Sequence, residues 1–305
     1  MSATLASWTW IPITIWAAFA QTLRNAAQRH LTAALGTLGA TLVRFLYGLP
    51  FAVLWLLLVT EATGVAAPAL NLSALLWGGF AAAAQIAATA LLLRAMEERN
   101  FTLGVAWSKT EIVQVAVFAL ALLGDPLTLG IALSVLFATI GVVLSSAKSA
   151  GWRALLSDWT SRAALIGLAS GAAFAVATVG YRGAALALLP TPPLIAAAVV
   201  LVYAQALQTL LLGGWLLLRE RKVIASAFRE WRTSGLAGFM GAAASAGWFT
   251  AMAMEPVARV RTIGLVEVLF TYLVSLRLFK ERLTAMETAG LVLVVLGMIG
   301  VINLR

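Results

Sequence analysis

The chain has 305 residues, 62% of them hydrophobic and only 11% charged, with a net charge of +9. Soluble domains carry about 25% charged residues, so the composition excludes an ordinary water-soluble fold. With no cysteine and a single histidine, His30, it also excludes disulfides, thiolate chemistry and a His/Cys metal site.

Residues 1–10 lack a charged n-region and a small-residue cleavage site, so the first apolar run is expected to be retained as a span. A bilayer core takes about 20 apolar residues per helix. By that measure the first set of spans covers 8–28, 35–60, 72–96, 103–123 and 129–147. The second set covers 162–182, 194–218, 235–254, 260–279 and 285–303. Helices are expected because lipid offers no water to unpaired backbone groups. A barrel would show alternating segments of about ten residues, and these runs are longer and continuously apolar. The predicted fold class is therefore an all-α membrane protein of ten transmembrane helices.

The chain repeats itself. Glu111 is followed by Asp125, Leu127-Thr128 and Gly141; 156 residues on, Glu267 is followed by Glu281, Leu283-Thr284 and Gly297 at the same spacings. Gly79 aligns with Gly235 and Met96 with Met252. This divides the chain into a first five-helix repeat (1–147), a connector (148–161) and a second five-helix repeat (162–305). Because five is odd, the second repeat is expected to run upside down relative to the first. The connectors after the odd-numbered spans hold most of the Lys and Arg, including Arg219, Arg221, Lys222, Arg229 and Arg232. Their positive charge argues for membrane flanks and against a nucleic-acid partner, and it places both termini outside.

The residues that carry this pattern are Leu123-Gly124-Asp125-Pro126-Leu127-Thr128 with Gly141, and Phe279-Lys280-Glu281-Arg282-Leu283-Thr284 with Gly290 and Gly297. Together with ten spans in two halves, they resemble the EamA-type transporters of the drug/metabolite transporter superfamily. The resemblance covers essentially the whole chain. It implies a secondary transporter with a central cavity between the halves, commonly an exporter of amino acids, metabolites or drugs, in a bacterial inner membrane. Members often have a proline where this chain has Glu111 and Glu267, and commonly keep both termini in the cytoplasm.

A charge deep in a membrane helix costs at least about 2.5–3.5 kcal/mol, so the interior charges are the candidate site. Glu111 and Glu267 fall near the middle of spans 4 and 9, with Trp107, Glu111 and Gln114 on one face and Glu267, Thr271 and Ser275 on another. As a functional pair they would bind a coupling proton or a cationic group; as a structural pair they would hold helices together. Arg44 and Lys109 are the natural counter-charges or carriers of a substrate carboxylate. Lys109 lies about 200° around the helix from Glu111, so a neighbouring helix must supply its partner, and Arg44–Glu111 and Lys109–Glu267 are the pairs considered. Gln21, Asn25 and Gln28, Gln85 with Thr89, and Gln205 with Gln208 and Thr209 form polar stripes suited to substrate contact or to inter-helix hydrogen bonds. Tyr47, Trp107, Tyr203 and Trp248 are candidate aromatic walls or core filling.

Other features have structural readings. Trp8, Trp10, Trp152 and Trp159 fit interface anchoring. Gly235, Gly238, Gly241, Gly290 and Gly297 fit close helix packing. Pro12 and Pro50 fit kinks, and His30 fits a solvated connector. Asp125 and Glu281 fit caps on the helices that follow them. No P-loop, HExxH or GxSxG is present, so no catalytic residue, metal or cofactor is expected. The partners expected are a small-molecule substrate, the lipid bilayer and a coupling proton. Two other readings remain: a flippase for lipids or lipid-linked intermediates on the same scaffold, and a non-transporting scaffold or receptor whose interior charges pair completely.

Overall fold

The computed structural model describes residues 8–97, 107–146, 160–270, 272 and 284–304. Most of the 148–161 connector, with Trp152 and Trp159, lies outside them, as do Arg99, Thr271, Ser275 and Glu281. Among the described residues there are helices and no strand. In chain order these are α1 (Trp10–Leu46), α2 (Gly48–Thr63), α3 (Leu72–Glu97), α4 (Glu111–Leu123), α5 (Leu129–Ser146) and α6 (Arg162–Leu186). They continue as α7 (Pro193–Gln208), a π-helical turn (Thr209–Gly213), α8 (Gly214–Arg219), α9 (Arg221–Arg229), α10 (Trp231–Met254), α11 (Val257–Ile263) and α12 (Ala285–Asn303).

Six helical stretches among the described residues are long and apolar enough to cross a membrane, and two shorter apolar ones, Glu111–Leu123 and Leu129–Ser145, stand beside them. The chain is a multi-pass membrane protein. Its first stretch, Trp10–Thr63, counts 54 residues, which as one rod would measure about 80 Å against a hydrocarbon core of about 30 Å. Gly36 resolves the mismatch. It adopts φ 66° and ψ 176° inside α1, a conformation open to glycine and strained for other residues. The two arms fold back there, since the Gln28 side-chain amide donates to the Ala40 carbonyl, 12 residues on, at 2.9 Å. The helix therefore runs on past 28, and His30 is exposed on a helix and not in a loop.

Pro12 kinks no helix interior, whereas Pro50 breaks the span predicted over 35–60. Pro12 lies in the first turn of α1 and Pro50 in the first turn of α2, where the missing N–H has no partner to lose. Between α1 and α2 stands Tyr47, at the break Pro50 imposes. Trp10 is buried at 2% exposure, not anchored at the interface, while Trp8 is exposed. The polar stretch 219–233 is also not a loop, because it holds α9.

The chain forms two compact units. One comprises Met1–Ile86 with Gly180–Glu255, the other Ala87–Val179 with Pro256–Arg305. In the first, α10 lies against α1 and α2. A methyl group at Gly238 would stand 2.4 Å from Tyr47 Cβ, and one at Gly247 2.8 Å from Ala17 Cβ. In the second, α5 and α12 meet backbone to backbone. A Cβ on Gly141 would lie 2.5 Å from the Gly290 carbonyl, and one on Gly290 2.6 Å from the Gly141 carbonyl. Lipid is as apolar as leucine, so helices in it associate through such contacts and not through hydrophobic burial. Gly235, in contrast, has nothing within 4 Å of its Cβ position.

Local chemistry fixes where the helices begin. Thr284 and Glu287 form a capping box on α12: the Thr284 hydroxyl accepts from the Glu287 amide at 3.2 Å and the Glu287 carboxylate from the Thr284 amide at 2.7 Å. At α5 the Thr128 hydroxyl accepts from Ile131 N at 3.3 Å. Asp125, expected to cap α5, is buried and accepts instead from the amide of Val257, the first residue of α11, at 3.2 Å. Gly124 sets up that redirection. At φ 67° it ends α4, and the Gly124 and Asp125 amides return to the carbonyls of Leu120 and Ala119.

Replacing Gly290 by alanine should overpack the α5–α12 contact and cost about 1–3 kcal/mol, seen as a clear fall in melting temperature in detergent. Gly235→Ala should leave the melt unchanged, and equal effects of the two would contradict this packing.

Candidate functional site

In the second unit the chain breaks twice. It is helical at 107–108, turns at Lys109 and Thr110, and resumes as α4 at Glu111; α11 ends at Ile263, turns at Gly264 and Leu265, and helix resumes over 266–270. Shifted by the repeat distance of 156, the second turn falls within one residue of the first. Glu111 and Glu267 therefore do not sit in unbroken helix. Each stands just beyond a break, in the first turn of the helix that resumes there. The break also interrupts the face expected to join Trp107 to Glu111. Thr110 bridges the two sides, its hydroxyl donating to the Trp107 carbonyl at 2.7 Å and accepting from the Gln114 side chain at 3.2 Å.

The two acids are buried, at 5% and 8% exposure, and each is ion-paired across to the other chain segment. Arg261, on α11, places Nη2 2.8 Å from Glu111 Oε1 and donates to Oε2 at 2.9 Å. Lys109 Nζ, in the turn before α4, pairs with Glu267 Oε1. The arrangement is reciprocal: the base at or before each break meets the acid after the other. Lys109–Glu267 is one of the two pairs the sequence pointed to. The partner of Glu111 is Arg261, which the sequence reading missed because the repeat offers it no counterpart (156 residues earlier stands Val105). Its charge near the start of predicted span 9, six residues before Glu267, was the available signal. Two residues before Lys109, Trp107 Nε1 is buried with no hydrogen-bond partner among the described residues.

The remaining candidates belong to the first unit. Gln85, Tyr181 and Gln208 form one hydrogen-bonded group, with Gln208 Nε2 donating to Gln85 Oε1 at 2.8 Å and to the Tyr181 hydroxyl at 3.0 Å, and Tyr181 donating to Gln85 at 2.9 Å. Arg44 and Gln205, both buried, line a narrow crevice with Gln85 and Gln208. Gln205 Oε1, Gln208 Oε1 and Thr209 Oγ1 are buried acceptors with no partner among the described residues. The π-helical turn begins at Thr209. Gln21, Asn25 and Tyr47 are hydrogen-bonded within the unit: Gln21 accepts from Trp248 Nε1 at 3.1 Å, Asn25 from Arg24 at 2.7 Å, and the Tyr47 hydroxyl donates to the Ala227 carbonyl at 3.2 Å. A groove of about 560 Å³ also opens between α1, α2 and α10 of this unit. Trp16, Phe51, Leu54, Leu58 and Phe239 line it, and all five are exposed.

A sequence profile of the EamA-like transporter family matches residues 161–303. This stretch is an EamA-like transporter domain. No curated protein matches the chain by sequence. A crystal structure described only as that of a protein has the same fold, with a TM-score of 0.69 over 100% of this chain and 96% of its own, at 19% identity. The EamA domain supplies Arg261 and Glu267 of the charged quartet, together with Tyr181, Gln205 and Gln208 of the first unit's cluster. Members of its family are transporters.

Arg261→Met would leave Glu111 buried without its partner, at a cost of about 3–5 kcal/mol. Thermal unfolding in detergent should show the loss, and the double variant Arg261→Met/Glu111→Met should recover most of it. A double variant as unstable as the single one would mean the pair is not what couples α11 to α4.

Proposed function

We propose that the protein is a secondary transporter that moves a small polar or amphipathic metabolite by alternating access, as an exporter in a bacterial inner membrane. In this reading the two arms of α1 are separate passes, the second running on through α2, and α7 with α8 is one pass. The segment from α11 onward is another, so that with α3, α4, α5, α6, α10 and α12 the passes number ten. They form two inverted five-helix repeats, 1–147 and 162–305, joined by 148–161.

The observation that carries the reading is the reciprocal pairing of Lys109 with Glu267 and Arg261 with Glu111 at two repeat-related helix breaks. Transporters place substrate and ion sites at discontinuous helices, and paired charges in a membrane interior mark such pathways. An ammonium group on the substrate, or a coupling proton, displaces Arg261 or Lys109 from its carboxylate. The released base then takes a substrate carboxylate, and Trp107 Nε1 offers it a hydrogen bond. Arg44, Gln85 and Gln205 contribute the polar lining of the first unit.

Wild-type protein is first screened by thermal shift against amino acids, amines and hydrophobic cations, and the compound with the largest shift is carried into counterflow in reconstituted vesicles. Glu111→Gln and Glu267→Gln should each lower the flux at least about tenfold. Flux and pH dependence unchanged in both variants would remove the acids from the mechanism.

The apolar groove of the first unit supports a second reading, a lipid flippase, because its exposed lining on membrane-spanning helices suits an acyl chain. Fluorescent-lipid scrambling in the same vesicles separates the two. Scrambling without solute counterflow would favour the flippase. If neither is found, and cysteines placed at Thr110 and Val268 resist water-borne thiol reagents, the charges serve only a scaffold.

A further inference from the structure

Helix α9, Arg221–Arg229, follows α8 after one residue and precedes α10 after one more. Both neighbours belong to helices long and apolar enough to cross the membrane, so α9 is held at the lipid–water boundary. Its apolar side is already occupied by protein. Val223 and Ile224 pack on the buried cluster of Leu42, Phe45, Leu212 and Leu216. Ala227 is fully buried, and its carbonyl accepts from the hydroxyls of Tyr47 and Ser234, both at 3.2 Å. A free interfacial helix dips its apolar face into lipid; this one cannot, because that face is spent on the fold.

What α9 turns outward is basic and aromatic. Arg221, Lys222 and Arg229 are exposed, as are Arg219 and Arg232 at its two ends, against the acids Glu220 and Glu230. Phe228 and Trp231 are 58% and 59% exposed, and the Arg232 guanidinium lies 5.4 Å from the centre of the Trp231 ring. Tryptophan settles at the headgroup level of a bilayer. Basic clusters on an amphipathic helix beside a span attract anionic headgroups, and guanidinium groups grip phosphate through paired donors.

We propose that the outward face of α9 is a binding site for the headgroups of anionic phospholipids, with Arg221, Lys222 and Arg229 holding the phosphate and Phe228 and Trp231 setting its depth. A zwitterionic headgroup brings its own ammonium among these cations and is disfavoured. A soluble acidic partner would meet the same charges, but the bilayer is the surface against which the two flanking spans fix this helix. The site stands whether or not the chain transports a solute.

The test is native mass spectrometry of the full-length protein in detergent, offered phosphatidylglycerol and phosphatidylcholine in equal amounts. Wild type should retain phosphatidylglycerol about fivefold over phosphatidylcholine. The preference should fall towards parity in about 0.5 M salt and in Arg221→Gln/Lys222→Gln/Arg229→Gln. Glu220→Gln/Glu230→Gln should raise it, and Arg221→Lys/Arg229→Lys should keep most of it. Equal retention of the two lipids by wild type would overturn the proposal, as would an undiminished preference in a triple variant that melts like wild type. If the triple variant folds poorly, the salt titration of wild type decides, and a salt-insensitive preference sinks the site.

Discussion

A carboxylate in hydrocarbon must be neutralised, hydrogen-bonded or paired, because the cost of leaving it alone exceeds what any single packing contact returns. The second unit satisfies this condition twice with one device. Each glutamate stands in the turn just after a helix break, and the residue at the other break, or the helix leading to it, supplies the cation. The consequence is mechanical as well as electrostatic. Neither broken segment can shift past the other without exchanging or straining both pairs, so the breaks are coupled in a way that two independent bridges on one helix would not be.

Packing around the quartet follows from the same solvent. Water drives no association inside a bilayer, so close backbone approach has to do it. Glycine at 141 and 290 lets α5 and α12 touch through main chain, and Ser134 and Ala138 meet Gly297 in the same seam. In the first unit Gly238 and Gly241 seat α10 on Tyr47 and Arg44. Buried Arg44 is thereby set among tightly placed backbone, where its long side chain has little room for another rotamer. The Asp125 contact with Val257 N ties the end of α4 to the start of α11, so the segment carrying Arg261 is anchored to the segment carrying Glu111 at a second point.

Much of this is legible in the sequence, and the rest is hidden for reasons that can be named. The two acids stand out because charge is rare in the spans and their spacing repeats. Lys109–Glu267 was one of two pairs open to the sequence, which required only that Lys109 find its partner on another segment. Arg261 breaks the repeat, so symmetry conceals it. The breaks at 109–110 and 264–265 carry no proline, and only Gly264 hints at one of them; tertiary pairing fixes them, not local propensity. Asp125 reads locally as a cap on the next helix, yet Gly124 turns it towards α11, a choice made by contacts 132 residues away. Gly36 looks like one more small residue in an apolar run until a 54-residue helical stretch has to fit a bilayer.

The polar side chains divide by whether their atoms are satisfied. Gln21, Gln28, Gln85 and Tyr181 hydrogen-bond to neighbouring helices, and helix packing accounts for them. Trp107 Nε1, Gln205 Oε1, Gln208 Oε1 and Thr209 Oγ1 are buried and unmatched among the described residues, and each such atom costs about 1–3 kcal/mol. Packing alone would have favoured an apolar residue at those positions. The π-helical turn that starts at Thr209 points the same way, since such turns give up regular hydrogen bonding and cluster at functional sites. The crevice of the first unit thus differs in kind from the quartet of the second, where each acid is matched by a base.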